Sequence, residues 1–314
     1  MTTRVIQRCR ELAAISDSDR SISRIYLSPA YLQGLQQTEQ WMQKAGMNTW
    51  IDAVGNVWGR YASSHPQAKT LILGSHLDTV PNAGMFDGIL GVMVAIEAVD
   101  RLRTEGIELP FHIDVVGLGD EEGVRFEASM LGSRALIGRW EDALLELTDP
   151  GGKSLSSALE ACGLHPDAYA DASRVDDDLL GFWEVHMEQG PVLEAEDIPV
   201  GVVSAIAGAR RFKVTIEGQA GHAGTVPMGL RQDALTAASE IVLMIEKTAQ
   251  QNNLVATVGH LKVFPSAVNV IPGWVEFTVD IRSDDDALRE RIMNLIFHSS
   301  EAISMSRGGG DLLE

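Results

Sequence analysis

The stretch Thr70–Leu102, TLILGSHLDTVPNAGMFDGILGVMVAIEAVDRL, decides the fold class of this chain. Its first five residues, TLILG, are a short continuous apolar run, the pattern of a strand buried on both faces. The segment from Gly88 to Leu102 predicts a helix, and FHIDVVGL at 111–118 is a second buried strand. Buried strands alternating with helices predict an α/β layer on a mixed, mainly parallel sheet.

Working outward, Ser28-Pro29 followed by apolar residues up to Gly46 predicts a capped helix. Thr49–Val54 and Val57–Ala62 flank Gly55-Asn56 and predict a hairpin. Downstream, helical stretches are expected near Met130–Arg139 and Ser154–Cys162, and a strand at Gly181–His186. The rhythm changes near Gly208. Strands at 211–218, 254–263 and 274–282 and helices at 231–249 and 285–304 give the order β-α-β-β-α, a ferredoxin-like α+β sandwich without its last strand. The expected domains are therefore residues 1–207 and 208–314, the second ending in a flexible tail, SMSRGGGDLLE.

Composition narrows the function classes. A chain of 314 residues suits two cores, and 45% hydrophobic with 22% charged residues is ordinary globular composition. A formal net charge of −19 disfavours nucleic acid and anionic membrane surfaces as partners. Two cysteines, Cys9 and Cys162, imply no disulfide framework. The N-terminus reads as an amphipathic helix without a signal-peptide core, and the longest apolar run, Ile89–Val99, is broken by Glu97. A soluble, cytoplasmic protein is expected.

Several clusters follow strand-like runs, where ligands gather in open α/β sheets. GSHLDTVPNAGMFDG holds His76, Asp78 and Asp87. In an HxD pair the carboxylate can take one imidazole N–H while the other nitrogen binds a metal, although a loop histidine is the commoner use. Asp87, just before a helix, suits either a metal ligand or an N-cap. GDEEG offers Glu121 and Glu122, one able to bind a metal and the other to act as general base, or else a solvated acidic loop. EVHMEQG adds His186 and Gln189. Together His76, Asp87, Glu122 and His186 form a mixed nitrogen and oxygen donor set, suited to zinc or manganese. Farther on, His222 in AGHAGTVPM, Asn269 in PSAVNVIPG and Arg282 in DIRSDD read either as surface structure or as substrate contacts, an Arg fork being apt for a carboxylate. No P-loop, dinucleotide fingerprint, HExxH or GxSxG is present.

GSHLDTVPNAGMFDG, DEEGVRFEASMLGSRAL, EVHMEQGPVLE, AGHAGTVPMGLRQDAL and AVNVIPG together resemble the M20-type amidohydrolases, in the branch of allantoate amidohydrolase, N-carbamoyl-L-amino-acid hydrolase and β-ureidopropionase. The likeness runs from about Leu27 to Leu288. It implies a catalytic α/β domain with a ferredoxin-like lid that also forms a homodimer, and two divalent metal ions, Mn2+ or Zn2+. It also implies roles: His76 and His186 as ligands to one ion, Asp87 bridging, Glu122 on the other ion, Asp78 orienting His76 and Glu121 as general base. Gln189, His222, Asn269 and Arg282 would hold a small anionic ureido substrate, His222 acting across the dimer. RIYLSPAY and WIDAVGNVWGR favour the allantoate member; N-carbamoyl amino acids are the near alternative. The family pattern continues beyond Glu314 through a GAGHDA-like segment and a last metal-binding histidine near a GISH-type motif, so the expectation is a C-terminally incomplete chain whose second metal lacks that ligand. A truncated, catalytically silent homologue is the reading from a different class.

Overall fold

The computed structural model of the protein describes residues 2–65 and 67–308. It divides into two compact units, Met1–Glu196 and Asp197–Glu314. Residues 198–207 form neither helix nor strand, so the division falls at the start of this segment, whereas the sequence reading set it at the end.

The first unit runs α1 (Thr2–Ala13), α2 (Pro29–Lys44), β1 (Asn48–Ile51), β2 (Val57–Tyr61), β3 (Thr70–His76), α3 (Ile89–Glu105), β4 (His112–Leu118), α4 (Leu131–Leu136), α5 (Leu155–Ala161), β5 (Leu179–Trp183) and a short α6 (Val192–Ala195). Ser28 caps α2 by accepting the Tyr31 N–H, and Pro29 sits where its missing N–H costs nothing. The sheet order is β1-β2-β4-β3-β5. β3 runs parallel to β4 and β5, while β2 pairs antiparallel with β1 and β4. This is a mixed sheet with a parallel centre.

Alternation along the strands divides their side chains between two cores. Val57, Ile113 and Val115 join Tyr31, Met42, Val92, Ile96 and Val99 in the larger one. Trp58, Ile72, Val116 and Leu118 pack with Leu136 in another. Because β3 and β4 are covered on both sides, their continuous apolar runs were readable as central strands. The strand expected at 181–186 lies instead at 179–183, ending where Trp183 pairs with Leu73.

The second unit runs β6 (Gly208–Glu217), β7 (Gly221–His222), α7 (Ala234–Gln251), β8 (Val255–Phe264), β9 (Val270–Ile271), β10 (Trp274–Ser283) and α8 (Asp286–Ser306). β10 lies between β6 and β8, antiparallel to both, and α7 and α8 bury Val275, Phe277, Val279 and Ile281 against Ile241, Ile245, Ile292 and Ile296. The β-α-β-β-α order is as the alternation predicted. β7 and β9 form a separate two-stranded ribbon, a feature absent from the sequence reading. The expected tail is helical as far as Ser306, and its last six residues, 309–314, lie outside the described residues. No helix of the described residues is long and apolar enough to cross a membrane.

Candidate active site

His76 ends β3 and is buried. Its Nδ1 lies 3.0 Å from the carbonyl oxygen of Asp78. A carbonyl only accepts, so the ring proton belongs on Nδ1 and Nε2 presents a lone pair. That Nε2 faces Asp87 Oδ1 at 4.0 Å. His186, just beyond β5, repeats the arrangement: Nδ1 is 2.8 Å from the Met187 carbonyl, and Nε2 is 3.3 Å from the same Asp87 oxygen. The two imidazoles stack with centroids 5.9 Å apart. Asp87 does not cap α3; the N-cap position is Gly88, with no side-chain bond to the helix.

The HxD pair works differently from expectation. The Asp78 carboxylate is 3.8 Å from His76 Nδ1, beyond hydrogen-bond reach. It accepts the backbone N–H groups of Glu121 and Glu122 instead, at 3.1 and 3.2 Å. Asp78 therefore joins two distant loops: its carbonyl aims His76 and its carboxylate holds the glutamate pair. Burial raises the Asp78, Glu121 and Glu122 carboxyls from their ordinary values, His76 opposes the shift, and the charges of Asp78 and Glu184 add to it at Glu121. Neither glutamate side chain makes a hydrogen bond or salt bridge among the described residues.

In the second unit, β7 and β9 bring His222 and Asn269 together, with the Ala223 N–H donating to the Asn269 carbonyl at 3.0 Å. Arg282 lies on β10, where its fork grips Asp280 through two bonds of 3.0 Å. The Arg fork read from sequence as surface structure or a carboxylate contact is thus paired with a neighbour, and the Asp280 carboxyl is held low first by Arg282 and then by Arg211. An open depression of 770 Å3 on this sheet is lined by Arg211, Lys213, Thr257, Asp280 and Arg282.

Residues 72–311 match the family model described as peptidase family M20/M25/M40. The chain belongs to this family. Among its relatives is allantoate deiminase of Arabidopsis thaliana, 41% identical over 313 residues that cover 92% of this chain and 60% of the plant protein. N-carbamoyl-L-amino acid amidohydrolase of Geobacillus stearothermophilus is 38% identical, covering 97% of this chain and 75% of the relative. A solved hydantoinase/carbamoylase family amidase from Burkholderia multivorans superposes with a TM-score of 0.91 at 33% identity, covering all of this chain and 76% of the other. The chain thus spans about 60% of the length of the plant deiminase that it matches.

The donors in this M20 chain fit a divalent cation. His76, Asp87 and His186 form one group whose ligand atoms lie within 4.8 Å of one another; His76, Glu121 and Glu122 form another. Two nitrogen lone pairs and a carboxylate oxygen aimed at one point repel one another, and a cation between them reverses the sign. Gln189 is part of this cluster in an unforeseen way: its Nε2 donates to both Asp87 oxygens, at 2.9 and 2.8 Å.

Sequence reading missed the supports behind this M20 site. Arg24 is buried, and its guanidinium donates to the carbonyls of Leu77 and Leu12, tying α1 to the His76–Asp78 turn; burial lowers its pKa to about 10. Asn56, read only as a turn residue, accepts the Gly119 N–H and donates to the Gly132 carbonyl, bracing the exit of β4. Asp120 is buried with a positive φ of 54°, and burial followed by the charge of Asp78 pushes its carboxyl up to about 8. The run of three acids in GDEEG was its available signal.

Proposed function

We propose that the protein hydrolyses a ureido or amide C–N bond of a small anionic substrate, with allantoate as the preferred substrate. The observation that carries this reading is the convergence of His76 Nε2, His186 Nε2 and Asp87 beside two glutamates held by Asp78. Relatives named allantoate deiminase, 39–42% identical, support the choice of substrate.

In this proposal His76 and His186 would hold one ion, Glu122 would hold a second, and the Asp87 carboxylate would serve both. Divalent ions at these positions supply Lewis-acid polarisation of the scissile carbonyl and of the attacking water. Glu121 takes a proton from that water and returns it to the departing nitrogen. His222 has a suitable form for an oxyanion donor: its Nδ1 accepts the Gly224 N–H at 3.1 Å, which leaves its proton on Nε2. Gln189, Asn269 and Arg282 hold the substrate, Arg282 by exchanging its Asp280 partner for a substrate carboxylate. Allantoate would yield ammonia, carbon dioxide and a ureidoglycine-type amine. A cytoplasmic homodimer formed through the second unit completes the proposal; exposed Val255, Leu261 and Phe264 along β8 support that surface.

N-carbamoyl-L-amino acids are the second reading, favoured by the bacterial amidohydrolases and the carbamoylase-family structure. The test is ammonia release from allantoate and from an N-carbamoyl-L-amino acid, with manganese added and Glu121→Gln as control. Turnover of allantoate, reduced about 10²–10⁴-fold in the control, is the expected result. Turnover of the carbamoyl compound alone would transfer the assignment to the second reading. Silence on both would leave the chain a catalytically silent homologue.

A further inference from the structure

The turn that follows His222 opens with three small residues, Ala223, Gly224 and Thr225. Between His222 and Arg231, ahead of α7, the chain reads Ala223-Gly224-Thr225-Val226-Pro227-Met228-Gly229-Leu230. Two glycines and no buried large side chain leave such a segment little of its own to fix it. One side chain reaches back across it. Arg231 donates from Nη2 to the Ala223 carbonyl at 2.6 Å and from Nε to the Val226 carbonyl at 3.1 Å, gripping both ends of the turn. Inside that grip the Thr225 and Val226 N–H groups return to the His222 carbonyl, and the Gly224 N–H meets His222 Nδ1.

Arg231 itself stands on a firm base. Asp233 caps α7 through the N–H groups of Leu235 and Thr236. The Gln232 carbonyl accepts the Gln219 N–H at 2.7 Å, and the Ala234 N–H donates to the Pro272 carbonyl. Gly218 is pressed so close to this base that a Cβ there would lie 2.3 Å from the Gln232 carbonyl oxygen. Rigidity therefore passes from the capped helix to Arg231, from its fork to the turn, and from the turn to the imidazole.

We propose that Arg231 is a positioning residue that locks the Ala223–Val226 turn and, through the Gly224 N–H, holds His222 as the Nε2–H tautomer. A carbonyl-bound fork suits arginine, since two donors in one plane can span two acceptors that a lysine would have to share. The catalytic consequence rests on the reading of His222 as an oxyanion donor given above. The tautomer and the order of the turn do not.

The experiment uses the whole chain labelled with 15N-histidine, His222 being assigned among the eight histidines by loss of its signal in His222→Asn. Two-bond ¹H–¹⁵N spectra above the histidine pKa report the tautomer, and amide hydrogen exchange reports the turn. Wild type should show Nε2–H at His222 with protected Thr225 and Val226 amides. Arg231→Gln should mix the tautomers and speed exchange in the turn at least tenfold while leaving α7 protected. Arg231→Lys should fall between the two. Wild type with the proton on Nδ1, or an Arg231→Gln variant with unchanged tautomer and turn exchange, would overturn the proposal. If Arg231→Gln loosens α7 as well, the wild-type tautomer and the Lys variant still decide. Turnover separates this from the functional reading. Should His222→Ala keep full activity while Arg231→Gln still frees the turn, the oxyanion role fails and the positioning role stands. If both matter, adding Arg231→Gln to His222→Ala should cost nothing further, the non-additivity of two residues acting through one group.

Discussion

Gly88 has no room for a side chain. A Cβ built there would lie 2.4–2.5 Å from the His76 imidazole atoms, and the backbone φ of +68° already disfavours any other residue. Gly88→Ala should therefore act twice. Backbone strain should lower stability by about 1–3 kcal/mol, and the displaced ring should weaken divalent-ion binding by at least an order of magnitude. Thermal melts without metal and titration calorimetry with Zn2+ separate the two effects; unchanged ion affinity would show that His76 is not a ligand. At this scale the residue types were legible and their bonds were not. HxD announced His76 and Asp78, yet which atom of Asp78 serves the ring depends on a loop 43 positions away whose N–H groups claim the carboxylate. The choice for Asp87 between cap and ligand was likewise open until the N-cap position of α3 was seen to fall on Gly88. Arg282 is the opposite case. Its partner Asp280 lies two residues away on the same face of one strand, so the pairing could have been read from the strand period.

Elements were readable wherever burial on both sides, or on one side, imposed a period, as in β3, α3, β4 and β10. What joins elements was not. Glu97, which looked like an interruption in an apolar helix, is buried and bound by Arg4 and lies 3.5 Å from Arg8, both on α1. One turn further along α3, Asp100 takes Arg4 on one oxygen and Arg103 on the other. Arg103 first, and Arg4 after it, hold the Asp100 carboxyl below its ordinary value. A carboxylate depressed on folding contributes stability that is complete above its unfolded pKa and lost as pH falls through the folded one. The docking of α1 on α3 should therefore weaken below pH ~4. Asp100→Asn should lower stability at pH 7 by about 1 kcal/mol or less, since both arginines are half exposed and screened. It should also flatten the acid limb of the stability curve. Urea melts from pH 7 to pH 3 check this; an unchanged acid slope in the variant would place the titrating contact elsewhere.

For the molecule as a whole, the donor inventory sets how many ions can be held and how unequally. His76 has only one nitrogen to give, because its Nδ1 is committed to the Asp78 carbonyl. His76 belongs to both donor groups, and the first also has His186 and Asp87. Once its free nitrogen is used there, the second donor group is left with only the carboxylate oxygens of Glu121 and Glu122. Zinc is held best where nitrogen or sulfur donors are available, and carboxylates alone hold it more loosely. Equilibrium dialysis of the chain against Zn2+ should accordingly show one ion retained through desalting and a second that washes out. His186→Ala should abolish retention of the first. Glu122→Gln should leave the first in place and remove only the second, which distinguishes a paired site from one generic acidic patch. Gln189→Ala should strengthen the first ion's binding, because its amide competes for both Asp87 oxygens in the metal-free chain. Two ions of equal affinity would mean that a donor outside the described residues completes the second position; loss of both ions in Glu122→Gln would mean that the glutamate and histidine groups do not act as separate sites.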